Sequence, residues 1–92
     1  MIKSWKHKGL RIFFQSSVTS GIQTKHRTKL KIILQLLDAA VQPKDIDLPG
    51  MRFHSLNGDL KDHYSVTVNA NWRIVFSFDG KDAILVDYLD YH

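Results

Sequence analysis

The spacing of the apolar residues changes from a helical period to a strand period near the middle of the chain, at Pro49-Gly50. Before this point apolar residues recur every three or four positions, which is typical of amphipathic helices. After it they alternate with polar residues, which is typical of strands that bury one face. The change predicts an α+β fold, in which two N-terminal helices pack on an antiparallel sheet of three or four strands.

The first predicted helix covers residues 7–16. Leu10, Phe13 and Phe14 lie on one side of it, because they are separated by three and four positions. Residues 1–6 precede this helix and are a candidate for a short strand at an edge of the sheet.

The second predicted helix begins near Thr24 and ends before Pro43, since proline cannot continue a helix. Its apolar stripe is formed by Leu30, Ile33, Leu34, Leu37 and Val41. Two like-charge pairs, Lys25/Lys29 and Arg27/Lys31, lie four positions apart on this helix. Each pair would cost an isolated helix roughly 0.2–0.5 kcal/mol, so they fit phosphate binding better than helix stability.

The strand candidates follow in the second half of the chain. They are Met51–Leu56, residues 64–69, residues 72–78 and Ala83–Tyr88. Asp79-Gly80 is a strong signal for a short hairpin between the last two strands. The pattern therefore predicts that these two strands are adjacent and antiparallel.

The register of that hairpin determines which residues share a face. With Asp79-Gly80 as a two-residue loop, Phe78 is opposite Lys81 and Arg73 is opposite Val86. One face then carries a polar group, Asn71, Arg73, Tyr88, Asp90 and His92. The other face carries Trp72, Ile74, Phe76 and Leu85, which we assign to the core. A bulge or a longer loop would shift this assignment by one residue.

The charged residues are distributed unevenly. All eight charged residues in positions 1–37 are basic, whereas positions 38–92 contain nine Asp and five Lys or Arg. This asymmetry indicates an anionic partner for the helical part, most simply a nucleic acid, with a solvated basic surface as the alternative. The predicted phosphate contacts are Lys6, Lys8, Arg11, Lys25, Arg27, Lys29 and Lys31.

Length and composition exclude several classes of protein. A chain of 92 residues has room for one core, so residues 1–92 are predicted to form a single domain. The lack of cysteine excludes a disulfide framework, a thiol nucleophile, a zinc ribbon and an iron–sulfur site. We recognise no signal peptide and no apolar run long enough to cross a membrane, which predicts a soluble, cytoplasmic protein.

The polar residues of the sheet could carry out RNA cleavage without a metal or other cofactor. In this reaction a base removes the proton of the 2′-hydroxyl, which attacks the adjacent phosphorus, and an acid protonates the departing 5′-oxygen. His54, Asp90 and His92 supply titratable groups, and Arg73 supplies a cation for the phosphoryl oxygens. Tyr91 could donate a hydrogen bond or stack on a base. The remaining histidines, which have no metal-ligand spacing, are predicted to be structural or exposed: His7, His26 and His63.

Taken together, these motifs resemble the HigB toxins, a branch of the RelE-like bacterial toxins. The resemblance extends over nearly the whole chain and rests on four segments in order. They are MIKSWKHKGL at 1–10, RFHSLNGD at 52–59, SVTVNANWRI at 65–74 and DYLDYH at 87–92.

The resemblance implies the RelE-like microbial RNase fold and a toxin that cleaves messenger RNA in the ribosomal A site. It also implies a HigA-like helix-turn-helix antitoxin, contact of the basic helices with ribosomal RNA, and contact with operator DNA only through the antitoxin. The positions that match the family's catalytic set are His54, Asp90, Tyr91 and His92. The positions that match RNA contacts are Asn71 and Arg73, with Asn57 where relatives often have Lys.

Two other functions remain compatible with the sequence. One is a non-catalytic RNA-binding or ribosome-binding module of the same fold, in which the C-terminal tail is only a contact surface. The other is a protein-interaction domain whose basic face binds an acidic partner.

Overall fold

The computed structural model of the chain describes residues 1–91 and contains two α-helices and four strands. Their bounds are α1 Lys8–Ser16, α2 Arg27–Ala39, β1 His54–Ser55, β2 His63–Asn69, β3 Trp72–Asp79 and β4 Asp82–Asp90. The strands form one sheet in the order β1-β2-β3-β4, and each neighbouring pair is antiparallel. The predicted α+β fold, two helices on an antiparallel sheet, is confirmed.

Helix α1 agrees with its prediction to within one residue. His7 is the N-cap, and its ring Nδ1 accepts a hydrogen bond from the Leu10 N–H at 2.9 Å. The helix ends at Ser16, and its C-cap Ser17 adopts the left-handed conformation and donates its N–H to the Phe13 carbonyl. Leu10 and Phe13 are buried, as the spacing of the apolar residues predicts.

Helix α2 is shorter at both ends than the sequence predicts. Residues 24–26 form a 3-10 turn, and the α-helix begins at Arg27 and ends at Ala39. Ala40 is extended, and the Val41 N–H is bonded to the Asp45 carboxylate at 2.9 Å. The assignment of Val41 to the apolar stripe is therefore wrong, and its side chain is 53% exposed.

The core lies between the two helices and one face of the sheet. Residues from α1 and α2 meet the central strands there, and Ile33, Leu34, Ile74 and Phe76 are fully buried. Burial of this apolar surface is the main favourable contribution to folding. The opposite face of the sheet, which we call the outer face, does not pack on α1 or α2.

The N-terminal segment runs along the free edge of β4. Ile2 and Trp5 form isolated parallel bridges to Ala83 and Val86, and the Ile2 N–H is bonded to the Asp38 carboxylate at 2.8 Å. The predicted edge position is confirmed, although the contact consists of separate bridges and not of a continuous strand.

The segment predicted as the first strand is also shorter. Only His54–Ser55 is regular, but the Leu56 N–H donates to the His63 carbonyl and the Met51 carbonyl accepts from the Thr67 N–H. The whole segment 51–56 therefore runs beside β2.

The hairpin between β3 and β4 differs from the predicted register. Asp79 is paired with Asp82, so the two-residue loop is Gly80-Lys81. A bulge then follows between Val75 and Ser77, and Leu85 at this position has φ 55° and is 37% exposed. The assignment of Leu85 to the core is wrong, and Val86 is fully buried instead.

The bulge reverses the face of every later residue of β4, because side chains alternate along a strand. Tyr88 pairs with Ile74 and Asp90 pairs with Trp72, so both lie on the helix side of the sheet. The prediction that Tyr88 and Asp90 share a face with Arg73 is therefore wrong. None of the helices in the described part of the chain is long and apolar enough to cross a membrane.

Candidate active site

His54 lies on the outer face at the edge strand β1. Its neighbour Phe53 stacks on Tyr64, with ring centroids 5.5 Å apart, on the helix side of the sheet. Because side chains alternate along an extended chain, burial of Phe53 turns His54 to the opposite side. The His54 side chain is exposed there.

A row of paired residues crosses the outer face from His54. His54 pairs with Ser65, Ser65 with Val75, and Val75 with Asp87. Ser65 and Val75 have short side chains and are buried, so the middle of this face is built from small groups. The larger polar side chains therefore stand around a strip of small residues.

Arg73 lies in the next row, between Thr67 on β2 and Leu89 on β4. One guanidinium nitrogen donates to the Ala70 carbonyl at 2.8 Å and to the Trp72 carbonyl at 3.3 Å. These bonds hold the side chain at the β2–β3 turn. His54 is two strand spacings away, roughly 10 Å across the sheet, and roughly 7 Å along it.

The C-terminal tail continues the ladder of β4 beside the same turn. The Tyr91 N–H donates to the Asn71 carbonyl at 2.8 Å, and Tyr91 is 38% exposed. Alternation along β4 places Tyr91 with Leu89 on the outer face, the face of Arg73. Asp90 is at the border of the helix side, opposite Trp72. His92, the last predicted catalytic residue, lies outside the described residues.

Asn57 is not brought into this group. It precedes a 3-10 turn at residues 58–60, in the connection between β1 and β2. The pairing of β1 and β2 directs this connection toward the Gly80-Lys81 loop, whereas Arg73 and Asn71 lie toward the opposite end of the sheet. The structure thus places Asn57 and Arg73 on opposite sides of the row that begins at His54.

The predicted phosphate-binding cations are distributed over the helical part of the chain. Five of the seven are exposed and Arg11 and Lys29 are half-buried; the exposed ones are Lys6, Lys8, Lys25, Arg27 and Lys31. Lys25 lies in the 3-10 turn before α2, so Lys25/Lys29 is not a pair within one α-helix.

An aromatic cluster beside the tail was not predicted. His26 is 1% exposed, and its Nδ1 is 2.5 Å from the Tyr88 hydroxyl. The Tyr88 ring also packs on Trp72, with centroids 4.6 Å apart, and His7 meets Tyr88 edge-on at 5.3 Å. The sequence contains no signal for the His26–Tyr88 contact, because 62 positions separate the two residues.

Burial controls the protonation of this cluster. It lowers the pKa of His26, with a smaller contribution from the charge of Lys25, so the neutral imidazole is favoured. Burial also raises the pKa of Tyr88, and the negative charge of Asp90 adds to this effect, although the Gln23 N–H bond to the hydroxyl opposes it. The hydrogen bond therefore joins two neutral groups, and it ties the turn before α2 to the end of β4.

Tyr88→Phe should lower the free energy of unfolding by about 1–3 kcal/mol, because it leaves the buried Nδ1 of His26 without its hydrogen-bond partner. Urea unfolding followed by circular dichroism measures this change. Tyr91→Phe is the matched control, since that hydroxyl belongs to an exposed side chain, and it should leave the midpoint unchanged. Equal midpoints for the Tyr88 variant and the unmodified chain would contradict a structural role for the bond.

The arrangement on the outer face is suited to proton transfer and to neutralising a phosphate. It combines an exposed imidazole, a fixed guanidinium and a phenol beside a strip of small residues. Within residues 1–91, no three His, Cys, Asp or Glu side chains are placed to share a metal ion.

A family model and two relatives with known names all match this chain, and all three are described as HigB. Residues 3–92 match the sequence model of a family described as HigB-like toxin, the RelE-like toxin of the type II toxin–antitoxin system HigB. The chain is 41% identical over 92 residues to Endoribonuclease HigB of Proteus vulgaris, covering all of both chains. It is 35% identical over 99 residues to Toxin HigB-1 of Vibrio cholerae serotype O1, covering all of this chain and 98% of that one.

Solved structures show the same fold at lower sequence identity. A chain of the YoeB–YefM complex from Staphylococcus aureus superposes on this chain with a TM-score of 0.61 at 17% identity. The match covers 100% of this chain and 98% of the chain in the complex. A mutant of YafQ from E. coli gives 0.57 at 17% identity, covering 96% and 91%. These likenesses establish the architecture.

Proposed function

The chain belongs to the HigB toxins, the RelE-like toxins of type II toxin–antitoxin systems, and on that premise we propose that it cleaves messenger RNA in the ribosomal A site. The relative from Proteus vulgaris is named an endoribonuclease. The proposal rests on the arrangement of the outer face, where the exposed His54 and the fixed Arg73 lie on either side of small side chains.

The reaction proceeds by attack of the 2′-hydroxyl on the adjacent phosphorus, so the chain itself supplies no nucleophile. His54 and His92 share the base and acid roles, and Arg73 neutralises the charge that develops on the phosphoryl oxygens. Asp90 joins them from the end of β4, since it is at the border of the helix side and not on the outer face. Tyr91 donates a hydrogen bond or stacks on a base, and Asn71 contacts the RNA beside it. Asn57 lies farther along the sheet, so any contact it makes is to another nucleotide.

The basic helical part binds ribosomal RNA through its exposed lysines and arginines. Such contacts are sequence-tolerant and weaken as salt increases, because they depend on the release of counterions. The ribosome then holds the message against the outer face, and the protein acts in the cytoplasm.

A HigA-like helix-turn-helix antitoxin neutralises this activity and links the protein indirectly to operator DNA. One of the structural neighbours is the heterotetrameric YoeB–YefM toxin–antitoxin complex from Staphylococcus aureus. That precedent supports an antitoxin partner for the present chain.

The proposal is tested with purified protein, translating ribosomes and a defined message, and primer extension locates the cuts. We expect cuts within codons that occupy the A site, and none when the same message is free of ribosomes. A non-catalytic ribosome-binding module would bind the ribosome, with salt-sensitive affinity, and leave the message intact. Cuts in free RNA at the same rate would contradict dependence on the ribosome.

A further inference from the structure

A cavity of about 270 Å³ lies on the helix side of the sheet, beside the end of β4. Its walls are the N-cap His7 of α1, the loop residues 20–23, and the rings of Trp72 and Tyr88. None of these residues is among the positions assigned above to cleavage. The volume is at the lower limit for drug-sized ligands, which suits a single heterocycle or nucleoside.

The walls are held in place by the fold. A Cβ on Gly9 would lie 2.5 Å from the Gly21 oxygen, so the loop packs directly on the backbone of α1. The Gln23 carbonyl in this loop accepts the His26 N–H at 2.9 Å, and the His26 Nδ1 is hydrogen-bonded to the Tyr88 hydroxyl on the opposite wall. A ligand would therefore bind a formed cavity and would not have to order it.

The chemistry of the walls fits a planar heterocycle. Trp72 is half-buried and packs on Tyr88, which gives the cavity an aromatic surface. The Nδ1 of His7 is occupied by the Leu10 N–H, so the neutral ring carries its proton on Nε2, where it can donate. Ser20 and Gln23 are exposed and add donors and acceptors.

The cavity adjoins the strand end that carries the proposed catalytic residues. Lys6 and Lys8 flank His7 in the chain and are exposed. Asp90 is paired with Trp72, so the aromatic wall is part of the same strand end as the proposed catalytic residues. RNA bases outside a duplex are commonly held by stacking on aromatic side chains and by hydrogen bonds to their edges.

We propose that this cavity, on the helix side at the end of β4, binds one nucleobase of the RNA strand that also occupies the outer face. The inference rests on the proposed function, since it names a further contact of the same substrate.

Trp72 provides a direct test through its fluorescence. In a Trp5→Phe chain it is the single tryptophan, and the protein is titrated with the four nucleoside 5′-monophosphates and with ribose 5-phosphate. We expect saturable quenching by at least one nucleotide, with a dissociation constant of about 1 mM, and none by ribose 5-phosphate. The indole N–H resonance of Trp72 gives the same measurement in the unmodified chain.

Ser20→Phe should fill the cavity and weaken nucleotide binding about tenfold or more, because stacking accounts for about 1–3 kcal/mol per base. Ser16→Phe is the matched control, since Ser16 is an exposed serine at the end of α1 and does not line the cavity. It should bind nucleotides like the unmodified chain. Thermal unfolding of both variants verifies that they are folded.

Three outcomes would overturn the inference: no response to any nucleotide, equal binding by the Ser20 variant, or an equal response to ribose 5-phosphate, which would indicate an anion site. Cleavage on ribosomes is measured in parallel, so the two proposals can fail separately. Cleavage without nucleotide binding would contradict base binding by the cavity and would support the proposed function. Nucleotide binding without cleavage would contradict the proposed mRNA cleavage and would support base binding by the cavity.

Discussion

His54→Ala is expected to slow cleavage of messenger RNA on translating ribosomes by about 10²–10⁴-fold, the usual contribution of a positioned acid or base. The imidazole lies on the outer face at an edge strand, and its side chain is exposed. Its removal therefore eliminates a proton-transfer group without opening a cavity in the core. Single-turnover cleavage rates at saturating ribosomes measure the effect.

His63→Ala is the matched control for this experiment. His63 is also a histidine of the outer face, paired with Ser77 on β3, and its ring is bonded to the Lys61 carbonyl at 3.2 Å. We expect near-normal cleavage from this variant. If the two histidine variants were equally active, His54 would have no role in proton transfer.

Deletion of Tyr91 and His92 should abolish cleavage to a similar extent. The bond from the Tyr91 N–H to Asn71 lies at the end of the sheet, so melting temperature and ribosome affinity should hardly change. Retained cleavage by the truncated chain would show that the tail is only a contact surface.

The second large effect is on stability. Phe76→Ala should lower the free energy of unfolding by about 3–5 kcal/mol, because it removes a fully buried aromatic ring and leaves a cavity. Phe76 contacts Tyr64 and Phe78 in the core between the sheet and the helices. Small domains are stable by only about 5–15 kcal/mol, so the variant would be close to unfolding at 37 °C.

Urea unfolding at 25 °C measures this change, and Leu85→Ala is the control. Leu85 lies on the bulge of β4 and is 37% exposed, so its truncation should change stability by less than about 0.5 kcal/mol. A loss of less than about 1 kcal/mol for the Phe76 variant would contradict its place at the centre of the core.

The change in apolar period was sufficient to predict the architecture. Helix α1 begins one residue after its predicted start, and the buried faces of α2 and β3 contain the residues that the spacing indicated, apart from Val41. These predictions succeed because each helix or strand must bury one face, whatever it packs against. The position of His54 on the outer face was not predicted, and the packing of its neighbour Phe53 on the helix side explains it.

The register of β3 and β4 could not be predicted from the turn signal. Asp79-Gly80 gave the correct hairpin but a shifted loop, and the bulge at Leu85 moved Tyr88 and Asp90 to the helix side. A single extra residue reverses the face of everything that follows it. Packing decides between the alternatives, because Val86 and Tyr88 fill the core in the observed register and Leu85 does not.

The sequence by itself determined the elements, their order, the basic helical part and the family, because these depend on local periodicity and on motifs. The tertiary structure decided which side chains meet. It placed His54 and Arg73 on one face, separated Asn57 from them, and brought His7, Ser20, Trp72 and Tyr88 around one cavity. Contacts between residues far apart in the chain depend on the register of the whole sheet, and no local pattern encodes that register.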